Sequence, residues 1–101
     1  MNIETAANKL EALGNPTRLE IFHELVKSGN EGLTVGEIRD LLDIPASTLS
    51  HHISKLVNAD LLIQERHSRS LVCTADHVNM DALMEFLVNN CCNEEWYIQP
   101  D

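Results

Sequence analysis

Apolar side chains recur at helical spacing through the first sixty residues, in four segments separated by capping signals. The first segment stops at Gly14, after which Asn15 can cap and Pro16 suits the first position of a second helix. Residues 34–37, Thr-Val-Gly-Glu, form a capping box that opens a third helix, and Pro45 marks the start of a fourth. The apolar stripes predicted for these helices are Ile3, Ala6, Ala7, Leu10 and Leu13; Leu19, Phe22, Leu25 and Val26; Ile38, Leu41 and Leu42; and Leu49, Ile53, Leu56 and Val57.

After residue 60 the pattern changes to that of a hairpin and a last helix. Residues 61–65 and 70–74 are rich in apolar or β-branched side chains and flank a polar tip at 66–69, which predicts two antiparallel strands. A final amphipathic helix is predicted from about residue 76 to residue 92, with Met80, Leu83, Met84, Leu87 and Cys91 on one face. The order of elements predicts a mainly α winged helix-turn-helix of about five helices and a two-stranded wing.

The chain of 101 residues is short enough to be one domain, residues 1–101. Within it, residues 34–75 form the predicted DNA-binding part. A domain of this size buries only one face of its first and last helices. Because the first and the last helix both carry apolar residues, we predict that they are dimerisation helices, at 3–13 and 77–92, with a second copy of the chain as the partner.

Features that are missing from the sequence limit the cellular location and the enzymatic activity that we expect for this protein. The longest apolar run, residues 61–63, is too short for a membrane helix, and no basic-then-apolar leader begins the chain, so we expect a cytoplasmic protein without a membrane partner. Three cysteines, an odd number, suit a reducing compartment with free thiols. An enzyme is disfavoured because no nucleophile, base and orienting acid occur in a recognisable order and no phosphate-binding glycine loop is present.

The formal net charge of −9 argues at first against nucleic acid, but the charge is unevenly distributed. Residues 46–75 carry three basic and two acidic side chains plus three histidines, whereas the other 71 residues carry four basic and 14 acidic ones. A polyanion such as DNA must therefore approach through residues 46–75.

The fourth predicted helix has a donor-rich face without acids opposite its apolar stripe. Short hydroxyl side chains at a helix N-terminus can donate to phosphates or base edges, and the helix dipole adds positive charge there. The alternative is an ordinary solvated face, which the two arginines at the hairpin tip make less favourable. The candidate DNA-binding residues are Ser47, Thr48, Ser50, His51, His52, Lys55, Arg66 and Arg69.

Three segments, LGNPTRLEI at 13–21, LTVGEI at 33–38 and STLSHHISKL at 47–56, resemble the ArsR/SmtB family of metalloregulatory repressors. The resemblance extends from about Leu10 to Leu87. It implies a homodimeric winged-helix repressor that leaves double-stranded operator DNA when an ion or thiol-reactive signal binds. By the same resemblance, Ser47, Ser50 and His51 fall on groove-contacting positions and the two arginines on the wing. Ala46 departs from the family, many members of which carry glutamine there, so the operator sequence need not be the usual one.

The sensor site differs among members of this family. Thr34-Val35-Gly36 stands where one type of arsenite or cadmium sensor has Cys-Val-Cys, and the adjacent Asp76-His77 does not match the Asp-x-His of zinc and nickel sensors. The remaining candidate metal ligands are Cys73, Cys91 and Cys92, and thiolates select soft, thiophilic ions. A C-terminal Cys-Cys pair also resembles a subgroup of arsenic sensors.

We therefore expect a repressor released by a trivalent arsenical, arsenite or methylarsenite, or by antimonite, with no cofactor required for folding. Three alternatives stay open. The same cysteines suit a thiol redox or sulfur-responsive repressor. Cys73 and Cys91 can also be plain core residues. Finally, the acidic balance permits a winged-helix module that binds protein.

Overall fold

A computed structural model describes residues 1–89 of the chain. Its helices are α1 (Ile3–Leu13), α2 (Pro16–Ser28), α3 (Val35–Leu42), α4 (Ala46–Asn58) and α5 (His77–Asn89), with a 3-10 turn at Gly29–Glu31. The strands are β1 (Leu33–Thr34), β2 (Leu62–His67) and β3 (Ser70–Ala75). The winged helix-turn-helix fold predicted from the sequence is confirmed, and no helix within residues 1–89 is long and apolar enough to cross a membrane. The last three residues of the predicted final helix lie outside the described part.

Local capping accounts for where four of the helices begin. The side chains of Asn2 and Asn15 accept from the backbone N–H groups of Thr5 and Arg18, at 2.8 and 3.1 Å. The predicted capping box at α3 is present in both directions: the Glu37 N–H donates to Thr34 Oγ1, and the Thr34 N–H donates to Glu37 Oε1. Asp76 caps α5, because its carboxylate accepts from the backbone N–H of Asn79.

The sheet has three strands rather than the two predicted. Its order is β1-β3-β2, antiparallel throughout, with Leu33 opposite Cys73 on one side of β3 and Gln64 opposite Cys73 on the other. The tip is tighter than predicted, since Arg66 and His67 belong to β2 and the turn is made at Ser68, whose φ of 61° is left-handed. Because β3 is hydrogen-bonded on both sides, it is the central strand of the sheet.

The core lies between α2, α3, α4 and the sheet. The α4 stripe is confirmed, with Leu49, Ile53 and Leu56 buried. In the α3 stripe Ile38 is buried, but Leu41 is exposed. The α2 stripe is partly wrong: Ile21 is buried, whereas Leu19 and Val26 are exposed. The face of α2 that packs is centred on Ile21, and a residue two positions earlier lies about 200° away around the helix.

Helix α1 packs on the rest of the chain through small residues and one lysine. Its buried residues are Ala6, Lys9 and Ala12, whereas the large apolar side chains of Ile3 and Leu10 are exposed. Small side chains on the inner face allow α1 to lie close to both α2 and α4. Of the large apolar residues predicted for the α1 stripe, Ile3 and Leu10 are thus left on its outer face, whereas Leu13 packs against the core.

Helix α5 packs against α1 and also presents apolar residues outward. Leu83 is buried and Met80 packs against the core, so Leu83 belongs to the interior of the chain and not to an interface. Met84 and Leu87 are 50% and 40% exposed. The α1 and α5 helices, which are in contact, therefore both carry exposed apolar residues.

Candidate nucleic-acid interface

The outward face of α4 carries most of the residues predicted to meet DNA. Ser47, Thr48, Ser50, His51 and Lys55 are all exposed. No acidic residue occurs anywhere on α4, because its sequence is ASTLSHHISKLVN. The buried stripe holds the helix against the core while hydroxyl, imidazole and ammonium groups face outward. This face can donate hydrogen bonds to phosphates and base edges without a carboxylate of α4 opposing them.

The N-terminus of α4 is built differently from those of the other helices. Its N-cap is Pro45, which has no side-chain acceptor, and no side chain caps the helix. Elsewhere in residues 1–89, α1, α2, α3 and α5 each have a side-chain acceptor at this end. The first backbone N–H groups of α4, beside Ser47 and Thr48, are therefore available to an external acceptor, and the helix dipole favours an anionic one.

His52 has a different environment from its neighbour His51. It is partly buried, and its Nδ1 accepts from the guanidinium of Arg18 at 3.2 Å. Because a guanidinium can only donate, Nδ1 carries no proton in this contact. Burial, the Arg18 charge and His51 lower the pKa of His52. Of the predicted DNA-binding residues on α4, His52 is thus the one already committed to a contact within the chain.

The wing places two arginines beside the start of α3. Arg66 and Arg69 are exposed on either side of the turn at Ser68. Together with Thr34, Gly36 and Ser70 they line an open groove of about 410 Å³ between the wing and the first turn of α3. Two guanidinium groups at the rim of such a groove suit contact with a sugar-phosphate backbone.

Cys73 lies in the core rather than at a surface. Its exposure is 0%, and its Sγ accepts a long contact from Gln64 Nε2 at 3.9 Å. Burial raises the pKa of the Cys73 thiol, against a smaller opposing effect of Gln64. Residues 1–89 hold no cluster of three metal-ligating side chains. The other two predicted ligands, Cys91 and Cys92, lie outside the described residues, so the three-cysteine site stays a prediction.

The segment from α2 to the first half of β2 matches a known family. The family model described as a helix-turn-helix domain matches residues 13–65, about half of the chain. The chain belongs to the helix-turn-helix domain family. Its fold is that of ArsR-family transcriptional regulators of known structure. One solved ArsR family transcriptional regulator has the same fold, with a TM-score of 0.78 over 99% of this chain and 98% of that one at 21% identity.

Two sequence relatives are named as repressors. The transcriptional repressor PagR of Bacillus anthracis is 28% identical over 87 residues, 86% of this chain and 85% of PagR, and its crystal structure gives a TM-score of 0.69. The putative arsenical resistance operon repressor ArsR of Halobacterium salinarum is 36% identical over 67 residues, 66% of this chain and 51% of that protein. The matched family and these relatives are DNA-binding transcriptional regulators, not enzymes.

Two residues gain roles that the sequence did not predict. Arg18 stands in the Asn-Pro-x-Arg turn, yet its contact with α4 lies 34 residues away. Lys9 is 2% exposed, although lysine is almost never fully buried without a partner. The only local signal for Lys9 is its position between Ala6 and Ala12, at helical spacing on the inner face of α1.

Proposed function

We propose that the chain is a repressor that binds twofold-symmetric operator DNA as a homodimer, with the two α4 helices in successive major grooves. The observation that carries the proposal is the exposed, acid-free face of α4 together with its uncapped N-terminus. In helix-turn-helix proteins the N-terminal residues of the second helix contact base edges. Here Ser47, Ser50 and His51 supply these contacts, and Lys55 adds a phosphate contact.

The wing supplies affinity that does not depend on sequence. Arg66 and Arg69 are the two basic side chains of the hairpin, and both are exposed. In a chain with a net charge of −9, phosphate contacts by these arginines offset repulsion from the remaining surface.

The homodimer is supported by the outer faces of α1 and α5. Ile3, Leu10, Met84 and Leu87 are large apolar residues that each expose at least 40% of their surface. Isologous pairing of these faces would remove them from water and relate the two α4 helices by a twofold axis. That symmetry is what a palindromic operator requires.

DNA binding is tested with single variants and fluorescence anisotropy over a range of salt concentrations. Ser50→Ala and His51→Ala are expected to weaken binding to the preferred duplex, each by about 1–3 kcal/mol, and to leave nonspecific binding nearly unchanged. Arg66→Ala and Arg69→Ala are expected to weaken all binding and lower the salt slope by about 1 per lost phosphate contact. Lys27→Ala, which removes a positive charge on α2, is the control. Unchanged binding in all four variants would contradict the groove assignment.

For the inducer, we propose a trivalent arsenical or antimonite held by cysteine thiolates. Soft thiolates suit these ions, and the halobacterial relative is named for arsenical resistance. Because Cys73 is fully buried with a raised pKa, it offers little thiolate in the folded chain. The ion would therefore bind first at Cys91 and Cys92, and Cys73 would join only if the core opens.

The ion can release the dimer from DNA only if it binds more tightly to the state of the dimer that does not bind DNA than to the state that does. A coupling of about 1–3 kcal/mol lowers operator affinity about 5- to 150-fold. Because thiols must lose protons to bind the ion, the response should strengthen as the pH rises toward about 8.5.

The inducer test compares arsenite, methylarsenite and antimonite on the parent chain and on Cys73→Ala, Cys91→Ser and Cys92→Ser. Alanine is used at position 73 because a serine hydroxyl would be buried without a partner, which adds a folding cost of about 1–3 kcal/mol. Loss of the response in Cys91→Ser or Cys92→Ser supports the site. A parent-like response in all three variants contradicts it, and release by hydrogen peroxide alone would replace it with the redox alternative.

A further inference from the structure

Two basic side chains join helix α1 to helix α4 at separate points. The first is Lys9, which is 2% exposed and whose Nζ donates to the carbonyl oxygen of Ala59 at 2.7 Å. Ala59 is the C-cap of α4, where backbone carbonyls lack partners within the helix and the dipole favours a positive charge. Lys9 therefore holds the C-terminal end of α4 against α1.

The second link is made by Arg18. Its Nε donates to the carbonyl oxygen of Ala12 near the end of α1 at 2.7 Å, and a terminal nitrogen donates to His52 Nδ1 in the middle of α4 at 3.2 Å. Its own backbone N–H donates to the Asn15 side chain. A planar guanidinium with several fixed donors can reach both the Ala12 carbonyl oxygen and His52 Nδ1, whereas the single nitrogen of lysine cannot.

The two links contact the same side of α4. His52 and Ala59 are seven residues apart, which is two helical turns and about 10 Å along the axis. The buried stripe holds α4 against the core, and a single polar link to α1 would restrain the tilt of α4 less than two links do. Two attachments on one side restrain its tilt, while Ser47, Ser50 and His51, which are proposed to contact base edges, lie about 100° or more away around the helix.

We infer that Lys9 and Arg18 are positioning residues that set where the recognition helix α4 lies relative to α1, and hence the spacing of DNA half-sites that the dimer accepts. The inference rests on the proposed function, in which α1 contributes to the dimer interface. Since α1 is rigidly placed at the twofold axis by that interface, any freedom between α1 and α4 becomes freedom in the separation of the two α4 helices.

The test measures affinity as a function of half-site spacing. The wild-type chain first selects its best duplex from a randomised pool, and the spacer of that duplex is then lengthened or shortened by one and two base pairs. Lys9→Met keeps the length of the side chain without the donor, and Arg18→Lys keeps the charge without the fork. Lys27→Met and Arg39→Lys, at exposed positions on α2 and α3, are the matched controls.

We expect Lys9→Met and Arg18→Lys to reduce affinity for the best spacing by about tenfold, comparable to one lost base contact, and to reduce it less for the altered spacings. The spacing profile therefore flattens, while the control variants keep the wild-type profile. A purely structural role would instead lower the melting temperature and scale all spacings equally. Arg18→Lys decides the question by itself if Lys9→Met does not fold as a dimer.

The outcomes separate this inference from the function on which it rests. If the wild type selects no twofold-symmetric duplex, the proposed function fails and the inference fails with it. If the wild type selects such a duplex and both folded variants keep the wild-type spacing profile, only the inference is overturned.

Discussion

At the scale of single residues, identical side chains have different roles because their surroundings differ. His51 and His52 are adjacent, yet His51 is exposed on the proposed DNA face, whereas His52 accepts a hydrogen bond from Arg18. Their side chains point about 100° apart on the helix, so one faces solvent and the other faces α2. In the proposed function, His51 thus contributes to DNA recognition and His52 to the positioning of α4.

An acidic residue at the uncapped N-terminus of α4 is expected to have opposite effects on folding and on DNA binding. Ser47→Asp places an acid in the first turn, where the helix dipole should raise the free energy of unfolding by about 0.3–1 kcal/mol. The same carboxylate faces the DNA phosphates, so operator binding should be lost. Urea unfolding and anisotropy measure the two effects, with Ser47→Asn as the uncharged control. A stabilised variant that still binds DNA as the parent does would contradict contact at this end of α4.

His52 should make the fold sensitive to acid. Because burial and Arg18 lower its pKa in the folded chain, the unfolded chain takes up this proton more readily. The contribution to stability is therefore lost as the pH falls below about 6.5, the usual histidine value.

The His52→Asn variant isolates this effect, since asparagine can still accept from Arg18 but does not titrate. Its unfolding free energy should decline less between about pH 7 and pH 5 than that of the parent. His23→Asn, at an exposed position on α2, is the control. Parallel pH profiles for His52→Asn and the parent would show that the Arg18 contact does not control the titration.

At the scale of elements, the close approach of β1 to β3 depends on a glycine. Gly32 has a φ of +70°, and a Cβ there would collide with the carbonyl oxygen of Cys73 and lie 2.6 Å from Thr74 Cγ2. Only glycine combines this backbone conformation with such a short distance between strands. The third strand of the sheet therefore depends on one residue just before it.

Gly32→Ala should lower the free energy of unfolding by about 2–4 kcal/mol, from backbone strain plus a clash with the β3 backbone. Gly29→Ala is the matched control, because Gly29 also has a positive φ, of +62°, but its Cβ would meet open space. The control should lose about 1–2 kcal/mol, since only the strain remains. If urea unfolding shows that Gly32→Ala and Gly29→Ala lose the same free energy of unfolding, the close approach of β1 to β3 adds nothing to the cost of a Cβ at position 32.

At the scale of the whole molecule, large apolar residues are divided between the core and the outer surface. The core cluster contains Ile21, Leu25, Leu49 and Leu56, all fully buried, whereas Ile3, Leu10, Met84 and Leu87 are left outside. Residues 1–89 leave these two outward helix faces uncovered, which is why the interface is proposed on α1 and α5.

Leu87→Lys should convert the dimer to monomers and abolish tight operator binding, because a buried interface does not accept an unpaired charge. Lysine makes the chain less acidic and by itself favours DNA, so lost binding would report lost dimerisation. Leu41→Lys, at an exposed leucine on α3, is the control and should stay dimeric. Sedimentation of the parent as a monomer at concentrations where it binds DNA tightly would refute this prediction.

The sequence by itself determined the features that depend on residues a few positions apart. The caps at Asn15 and Thr34, the Pro16 start of α2 and the buried stripe of α4 involve neighbours within one or two turns, so their signals are local. The acid-free character of α4 is likewise read directly from its residues, and the winged helix-turn-helix order follows from these elements.

Only the tertiary structure decided which groups meet across long stretches of chain. Lys9 reaches Ala59 over 50 residues and Arg18 reaches His52 over 34, and Leu33 pairs with Cys73 to make the third strand. These contacts depend on how helices and strands pack after they form. Hydrophobic periodicity predicts the elements themselves but not the angles or distances between packed elements. For the same reason the sequence did not reveal that Cys73 is fully buried, because an alternating strand pattern does not say what covers each face.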